Sequence, residues 1–562
     1  MRWSVTILLV AVAGMGGGAG AGERLAGEEA LPFHRGVNLT NWLQGSSMKQ
    51  VQFGRFTKQD FENIKSLGCD VVRLPMELHS MTDGAPNYTV DPLFFSLLDR
   101  IVGWTEELEL YLIFDNCGFA GTGGETRPNA DQILVPIWSQ MAAHYQGQAP
   151  RLCYEVLNEP HGVSEFRWGQ IQQDVIDAIR AVDPNRIIVV TGAEYGGCNN
   201  LKNLPFYQDD KLIYTFHFYD PFVFTHQGTN WTNPSMVPLA GVPFPYGAGP
   251  VPECPTALQG TWVEAALNSY HNDGTVAHVK ALLDVAADFR NQRNVPVYCG
   301  EFGVYRLTSK DEHRVSWYKV VREYLEEKGI AWTSWDYQGG FGLFHAGSNE
   351  LFEHDLNVPV VEALGLTAPE QTPFVVTPDS NGFSIYGDYL APGILDATWL
   401  WQGAVDYYCD DGPVQGTFCL YCTGFSRYDC ITLDFRPDKD LSLLVRGGSA
   451  LQFWARGDTR DATVDLRFVD TKTTDPRDHP WRMGMAVDGK AVRWDGEWHE
   501  VRIPLINFAE RGSWDNAWFN PAGLFNWAAV DRLEIVAEYH DFVGMQFWFD
   551  DLRITDPTSR MR

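Results

Sequence analysis

Short apolar runs recur along the first two thirds of the chain and alternate with longer stretches in which apolar residues return every third or fourth position. The runs fall at 36–39, 70–74, 111–115, 152–157, 187–191, 212–217, 295–299 and 331–336, each the length of a buried strand. Between them, 57–67, 94–107, 166–182, 276–290 and 313–328 carry helical spacing, with polar residues positioned as caps. Eight such units predict a (β/α)8 TIM barrel over residues 30–366, an α/β fold whose chemistry sits on the loops after the strands. One connection is unusual: 218–261 is studded with prolines from Pro221 to Pro255, and a loop of that length within a compact domain is expected to serve function.

The pattern then changes. Residues 367–382, rich in Pro and Thr, read as a linker. Alternation at 384–386, 451–455, 463–469, 499–503, 532–537 and 546–554, with turns and no regularly interleaved long helices, predicts a second domain over 383–556: an all-β, jelly-roll-like sandwich. Two domains suit 562 residues, since one core stops growing near ~250–300 residues.

At the start, Arg2 precedes an apolar stretch over 5–15 and the small-x-small sequence Ala19-Gly20-Ala21, so residues 1–21 read as a secretory signal peptide. No later stretch approaches the ~18 apolar residues of a spanning helix. The mature chain is therefore expected to be a secreted monomer, extracellular or periplasmic, without a membrane anchor. Its 43 basic against 72 acidic residues give a formal charge of −29, which repels nucleic acid and acidic membranes but costs a neutral substrate little. Aromatic residues, 13% of the chain, suit sugar faces as well as cores.

Of ten cysteines, Cys69, Cys153 and Cys299 lie in or beside apolar runs and read as core thiols. Cys409, Cys419, Cys422 and Cys430 cluster, which in a secreted chain predicts one or two disulfides, with three full pairings open. With one Cys-x-x-Cys pair and no His in the cluster, zinc is disfavoured.

Two strand ends carry the candidate chemistry. The run 152–157 gives way to Asn158, Glu159 and Pro160, and 295–299 gives way to Gly300, Glu301, Phe302 and Gly303. Strands four and seven of a barrel face each other across its mouth, so the two glutamates read as one split site. Cleavage of a glycosidic bond needs a proton donor at the leaving oxygen and an anion at the anomeric carbon; a retaining hydrolase sets its two carboxyl groups ~5–5.5 Å apart.

Gly36-Val37-Asn38, Arg73 within 72–75, Asn158 and Glu159 within 157–160, His217-Phe218-Tyr219, Gly300-Glu301-Phe302-Gly303 and Trp335 together resemble, in order, the signature of glycoside hydrolase family 5 in the cellulase superfamily. The resemblance spans about residues 30–366 and implies that Glu159 is the acid/base and Glu301 the nucleophile, with no cofactor for catalysis. It further implies that Arg73 keeps the nucleophile ionised, Asn158 binds the sugar 2-hydroxyl, Tyr219 orients the nucleophile, His217 supports the acid/base side and Trp335 forms the sugar floor, with Asn38 also in the substrate-binding set. The third strand departs from the pattern: after Asp115 and Asn116 it carries Cys117 where the family usually has His, so Asp115 and Asn116 are expected to take up that sugar contact. Trp42, Trp231 and Trp262 are candidates for further subsites.

The second domain resembles the β-sandwich carbohydrate-binding modules of secreted glycanases, through 386–389, 498–505 and 549–552. That resemblance implies a structural calcium, with Asp388 and Asp551 as candidate metal ligands, and a sugar face drawn from Trp399, Trp401, Trp481, Trp494, Trp514, Trp518 and Trp527, some of which must fill the core. The resulting expectation is a secreted retaining endo-acting β-glycanase cleaving β-1,4-glucan, cellulose or mixed-linkage. The same mechanism on mannan or xyloglucan, and a non-catalytic carbohydrate-binding protein, are the alternatives.

Overall fold

The expected runs close into one parallel barrel. The computed structural model describes residues 31–118 and 125–557. Strands β1 (Arg35–Asn38), β2 (Val71–Met76), β3 (Tyr111–Asn116), β4 (Leu152–Glu155), β5 (Ile187–Thr191), β6 (Leu212–Phe218), β7 (Val297–Phe302) and β8 (Ala331–Ser334) pair in chain order, and β8 returns to β1. Helices α1 (Lys58–Ser66), α2 (Pro92–Glu107), α3 (Asp131–His144), α4 (Glu165–Val182), α5 (Phe222–Thr225), α6 (Trp262–Asp273), α7 (Val276–Arg293), α8 (Asp311–Glu327) and α9 (Val358–Ala363) occupy the connections. Local chemistry starts several of them: Thr57 and Asp60 form a reciprocal capping box on α1, and the Ser164 hydroxyl accepts from the Arg167 amide on α4.

Period-two alternation divides each strand between two environments. Outward side chains such as Leu74, Phe114, Tyr154, Val190 and Trp332 pack in the main hydrophobic core with the helices. Inward ones form layers. Val71, Ile113, Cys153, Val189, Ile213, Tyr298 and Ala331 fill an apolar layer with Phe33. Two residues further along the same strands, Arg73, Asp115, Glu155, Thr191, Thr215 and Thr333 form a buried polar layer. The barrel is thus dry at one end and charged beneath the other.

Element ends differ from expectation where they touch the site. Strand β4 stops at Glu155, so Asn158 and Glu159 stand on the following loop. Strand β7 continues to Phe302, so Glu301 is itself a strand residue. Helices α3 and α6 went unpredicted: α3 carries Pro136 in its interior, and α6 follows the proline-rich loop, both of which mask helical spacing. That loop nevertheless contains the single turn of α5.

After residue 382 the chain forms an antiparallel sandwich. Its strands are β9 (Phe383–Tyr386), β10 (Ile394–Asp396), β11 (Ala404–Cys409), β12 (Cys419–Thr423), β13 (Cys430–Lys439), β14 (Ala450–Gly457), β15 (Val464–Asp470), β16 (Arg482–Val487), β17 (His499–Pro504), β18 (Ala509–Trp514), β19 (Trp518–Phe519), β20 (Val530–Val536) and β21 (Gln546–Ile554). One sheet runs β10-β13-β20-β15-β16-β18-β19 and the other β11-β12-β21-β14-β17, with β9 on β21. The sandwich rests on the loop between β1 and α1: Lys49 pairs with Asp406 at 2.6 Å, and Phe53 packs between the rings of Tyr389 and Tyr408.

The expected disulfides are not formed; all ten cysteines are free thiols. Cys409 and Cys419 stand opposite each other on β11 and β12, where the Cys419 thiol donates to the Cys409 carbonyl at 3.4 Å. Cys422 and Cys430 are buried on different sheets, as small core side chains. The tryptophans also sort: Trp42, Trp481 and Trp494 are buried, while Trp231, Trp262, Trp399, Trp401, Trp514 and Trp518 are exposed. The signal segment 1–21 lies outside the described residues, and among those residues no helix is long and apolar enough to cross a membrane.

Candidate active site

Barrel closure brings the two predicted glutamates together. A bulge between Phe216 and His217 sets His217 opposite Glu301 in the β6–β7 register, re-aiming both side chains toward the mouth. Gly300 is needed there, since a Cβ would lie 2.8 Å from the Thr215 hydroxyl and 3.2 Å from His217 Nε2. His217 Nδ1 lies 2.7 Å from Glu159 Oε1 and 3.6 Å from Glu301 Oε2. One oxygen of Glu159, one of Glu301 and a His217 nitrogen all fall within 4.8 Å of one another.

The two carboxylates are held differently. Glu301 is nearly buried, its side chain 5% exposed; Arg73 Nη1 donates to its Oε1 at 2.8 Å and the Tyr219 hydroxyl to its Oε2 at 2.8 Å. Glu159 is 31% exposed and faces His217. His217, Glu159 and Glu301 could by distance alone cradle a metal ion, but both Glu301 oxygens are already engaged, and Arg73 supplies the positive charge an ion would bring.

Arg73 is fully buried and uses its whole fork. Besides Glu301, Nη1 donates to Asn38 Oδ1 at 2.9 Å; Nη2 donates to Asn158 Oδ1 at 2.7 Å and to Glu155 Oε1 at 2.9 Å; Nε donates to Glu155 Oε2 at 2.8 Å. Asp115 Oδ2 lies 3.1 Å from Nη2. Because Asn158 spends its carbonyl on Arg73, its amide N–H2 is left to face the cleft. Asn38 in turn donates to the carbonyls of Gly300 and Ser334, tying β1 to β7 and β8.

Burial and charge set the protonation of the surrounding groups. Burial first, then the charges of Glu301 and Glu159, push the Tyr219 phenol well above its ordinary range, so it stays a donor. Burial lowers His217, but Glu301 and its hydrogen bond with Glu159 outweigh that and raise it overall. Asp115 is driven well above the carboxylate range by burial, with Glu155 and Glu301 adding to it against the pull of Arg73. The Cys117 thiol is likewise raised by burial and by Asp115, Glu77 and Glu301, which keeps it neutral; Gln44 Nε2 donates to its sulfur at 3.3 Å. Burial pushes Asp336, beside Trp335, up to about 7.

Arg73, Asn158, His217, Tyr219 and Asn38 thus converge on Glu159 and Glu301, and Trp335 follows directly after β8 with its amide bonded to the Phe302 carbonyl. Asp115 is wholly buried in the layer beneath, and Asn116, on the other face of β3 where it accepts the Leu78 amide, is buried as completely, so the sugar contact expected of them has no exposed atom to make it. Trp42 is core, not subsite wall, whereas Trp231 is 57% exposed. Glu155 was not anticipated, although a signal existed: it is the one charged side chain inside the apolar run 152–157, and a buried charge demands a partner. In the sandwich, Asp388 Oδ1 accepts the amides of Thr417 and Phe418, and Asp551 pairs with Arg553 at 2.8 Å; among the described residues no third ligand side chain gathers with them.

Comparison with known proteins agrees with this geometry. The family model Carbohydrate binding domain 30 matches residues 428–556, from just before β13 to the end of the sandwich. Endoglucanase C of Acetivibrio thermocellus is 30% identical over 320 residues, covering 55% of this chain and 92% of that protein. Endoglucanase 3 of Fibrobacter succinogenes is 30% identical over 349 residues, 57% of this chain, which spans only 52% of that relative's length. A solved hyperthermophilic endo-beta-1,4-glucanase in complex with substrate is 25% identical with a TM-score of 0.50, over 59% of this chain and 96% of its own. The model described as Cellulase (glycosyl hydrolase family 5) matches residues 34–340, more than half of the 562-residue chain and the whole set of converging side chains, and the chain belongs to that family.

Proposed function

We propose that the chain is a retaining, endo-acting β-1,4-glucanase that hydrolyses cellulose or mixed-linkage glucan. The observation that carries this reading is the approach of Glu159 and Glu301 to within 4.8 Å, with only Glu301 bound by a guanidinium. So short a separation suits double displacement; an inverting pair stands ~6.5–9.5 Å apart to admit a water. Glu301 attacks the anomeric carbon while Glu159 gives its proton to the departing oxygen; the C–O bond breaks and a glycosyl ester forms on Glu301. Glu159, now a base, takes a proton from water, which attacks the same carbon and releases Glu301. The Asn158 amide donates to the 2-hydroxyl, a contact that tightens in the transition state, and Trp335 forms the floor beneath that sugar. The names of the two endoglucanase relatives support endo action on a glucan, and that of the solved endo-beta-1,4-glucanase supports the β-1,4 linkage.

Cys117 bears on the polymer, since a neutral thiol is a weak donor where the family uses imidazole. The test is therefore a panel: the purified chain on carboxymethylcellulose, mixed-linkage glucan, mannan and xyloglucan. Viscosity is expected to fall ahead of reducing-end release on the glucans, and NMR in the first minutes to find β-anomer. Preference for mannan or xyloglucan removes the substrate assignment, and α-anomer removes retention. The other parts of the reading are export directed by residues 1–21, a linker at 367–382, a monomeric mature enzyme, and a calcium near Asp388 and Asp551, supported by the directions at Asp550, pushed up by burial and then by the charge of Asp388, and at Asp551, pushed up by burial and then by Asp550. Intact mass and sedimentation of the exported chain, and melting with and without EGTA, decide these; an unchanged Tm removes the ion.

A further inference from the structure

Beneath the reacting carboxylates lies a second tier of charge. There Arg73 stands between Asp115 of β3 and Glu155 of β4 and reaches up to Glu301 of β7; among the described residues it is the one Arg or Lys paired with these three carboxylates, all essentially out of water. Glu155 binds it in the bidentate mode, through Nε at 2.8 Å and Nη2 at 2.9 Å, which leaves the Nη1 edge to Glu301 and Asn38. We propose that Glu155 is a positioning residue for the reaction: it fixes the far edge of the Arg73 guanidinium and takes up part of the charge that would otherwise stabilise the Glu301 anion. The proposal rests on the reading of Glu301 as nucleophile.

Charge counting makes the role specific. Three anions around one guanidinium would leave two uncompensated charges in a water-free layer, a costly state that one carboxyl avoids by keeping a proton. Asp115 is that carboxyl. Neither of its buried oxygens has a hydrogen-bond partner of acceptable geometry, whereas both oxygens of Glu155 do. The direction of the shift at Asp115 agrees. Other titratable groups near the layer are His217 on β6, Tyr219 just after it, Cys117 after β3, Tyr298 and Cys299 on β7, and Glu77 after β2; the two phenols and two thiols are neutral, held so by burial. On this count Glu155 is, among the described residues, the one anion besides Glu301 paired with Arg73, Asp115 Oδ2 lying 3.1 Å from Nη2 as a neutral carboxyl.

The experiment is the pH profile of kcat/KM for the full chain and for Glu155→Gln and Asp115→Asn. In Glu155→Gln the guanidinium keeps Asn38, Asn158 and Glu301 as acceptors but loses a competing anion, so Glu301 ionises more readily. The acid limb should move about one unit to lower pH. A purely structural role would lower activity at every pH and leave the limb in place. Asp115→Asn replaces a neutral group by a neutral group, so its acid limb should coincide with that of the native chain. An unmoved or upward-moved limb in Glu155→Gln overturns the proposal, as does an Asp115→Asn limb displaced as far as that of Glu155→Gln. Where Glu155→Gln does not fold, infrared spectroscopy of the native chain serves: a protonated-carboxyl band that persists at neutral pH and vanishes in Asp115→Asn is expected, and its absence refutes the charge count. Loss of all activity in Glu301→Gln alongside an unmoved limb in Glu155→Gln sinks this inference alone, whereas an active Glu301→Gln sinks the reading beneath it.

Discussion

Glu301→Gln should abolish turnover, by about five orders of magnitude on any glucan the native chain cleaves, while binding stays within a few fold. The amide keeps the shape of the carboxylate and loses the electron pair that forms the glycosyl ester. Its local bonds can largely survive: the amide oxygen accepts from Arg73 Nη1, and the amide nitrogen turns to the Tyr219 hydroxyl oxygen, which can accept as well as donate. A folded, binding, inactive protein is therefore expected. Glu159→Gln should behave differently. On polymer it loses the proton donor and falls about 10²–10⁴-fold. On an aryl cellobioside with an acidic phenol as leaving group, the first step needs little protonation, so the ester on Glu301 forms and waits for a water that has lost its base. Intact-mass spectrometry should then find a protein heavier by the glycosyl unit in Glu159→Gln and none in Glu301→Gln. The opposite distribution of adducts would exchange the two roles, and measurable turnover by Glu301→Gln would remove it as nucleophile.

The two glutamates were legible because each ends an apolar run abruptly, and a polar residue at that junction has few structural reasons to be there. The barrel was legible for the same reason: buried parallel strands are written as compact apolar words. Glu155 was harder to place. Its partner Arg73 lies 82 residues away, and the two meet only after β2, β3 and β4 are side by side with inward faces aligned. No local window holds that information, although the lone charge in 152–157 hinted at it. The cysteines failed for a related reason. Spacing along the chain says nothing about which sheet a strand joins, so Cys422 and Cys430 read as neighbours yet are buried on separate sheets. Trp42 and Trp231 both stand on barrel loops in the sequence, and only folding shows the Trp42 indole donating to the Gln52 carbonyl inside the core while Trp231 faces solvent.

Arg73→Met should be the most destabilising single change in the polar layer, at about 3–5 kcal/mol near neutral pH, because it strips the cation from carboxylates that remain out of water. The cost should depend on pH in a definite direction. Without the guanidinium, Glu155 and Glu301 remain in a water-free layer with no cation beside them, a setting that disfavours the charged form, so the folded variant takes up protons that the unfolded chain does not. The native state then carries the extra protons, and stability falls as pH rises through the carboxylate range toward neutrality. On the charge count proposed above, Asp115 keeps its proton in both folded chains and drops out of the comparison. Denaturant titrations at pH 5 and pH 7.5 should give a larger difference between Arg73→Met and the native chain at the higher pH; a difference that is constant, or larger at pH 5, would mean that the layer is not held by this charge. Arg73→Lys separates charge from geometry. One ammonium restores part of the stability, but it cannot span Glu155, Asn158, Asn38 and Glu301 together. Activity should therefore stay low in Arg73→Lys even where folding recovers, since the fork holds Glu301 and Asn158 in one frame and a point charge holds only one of them.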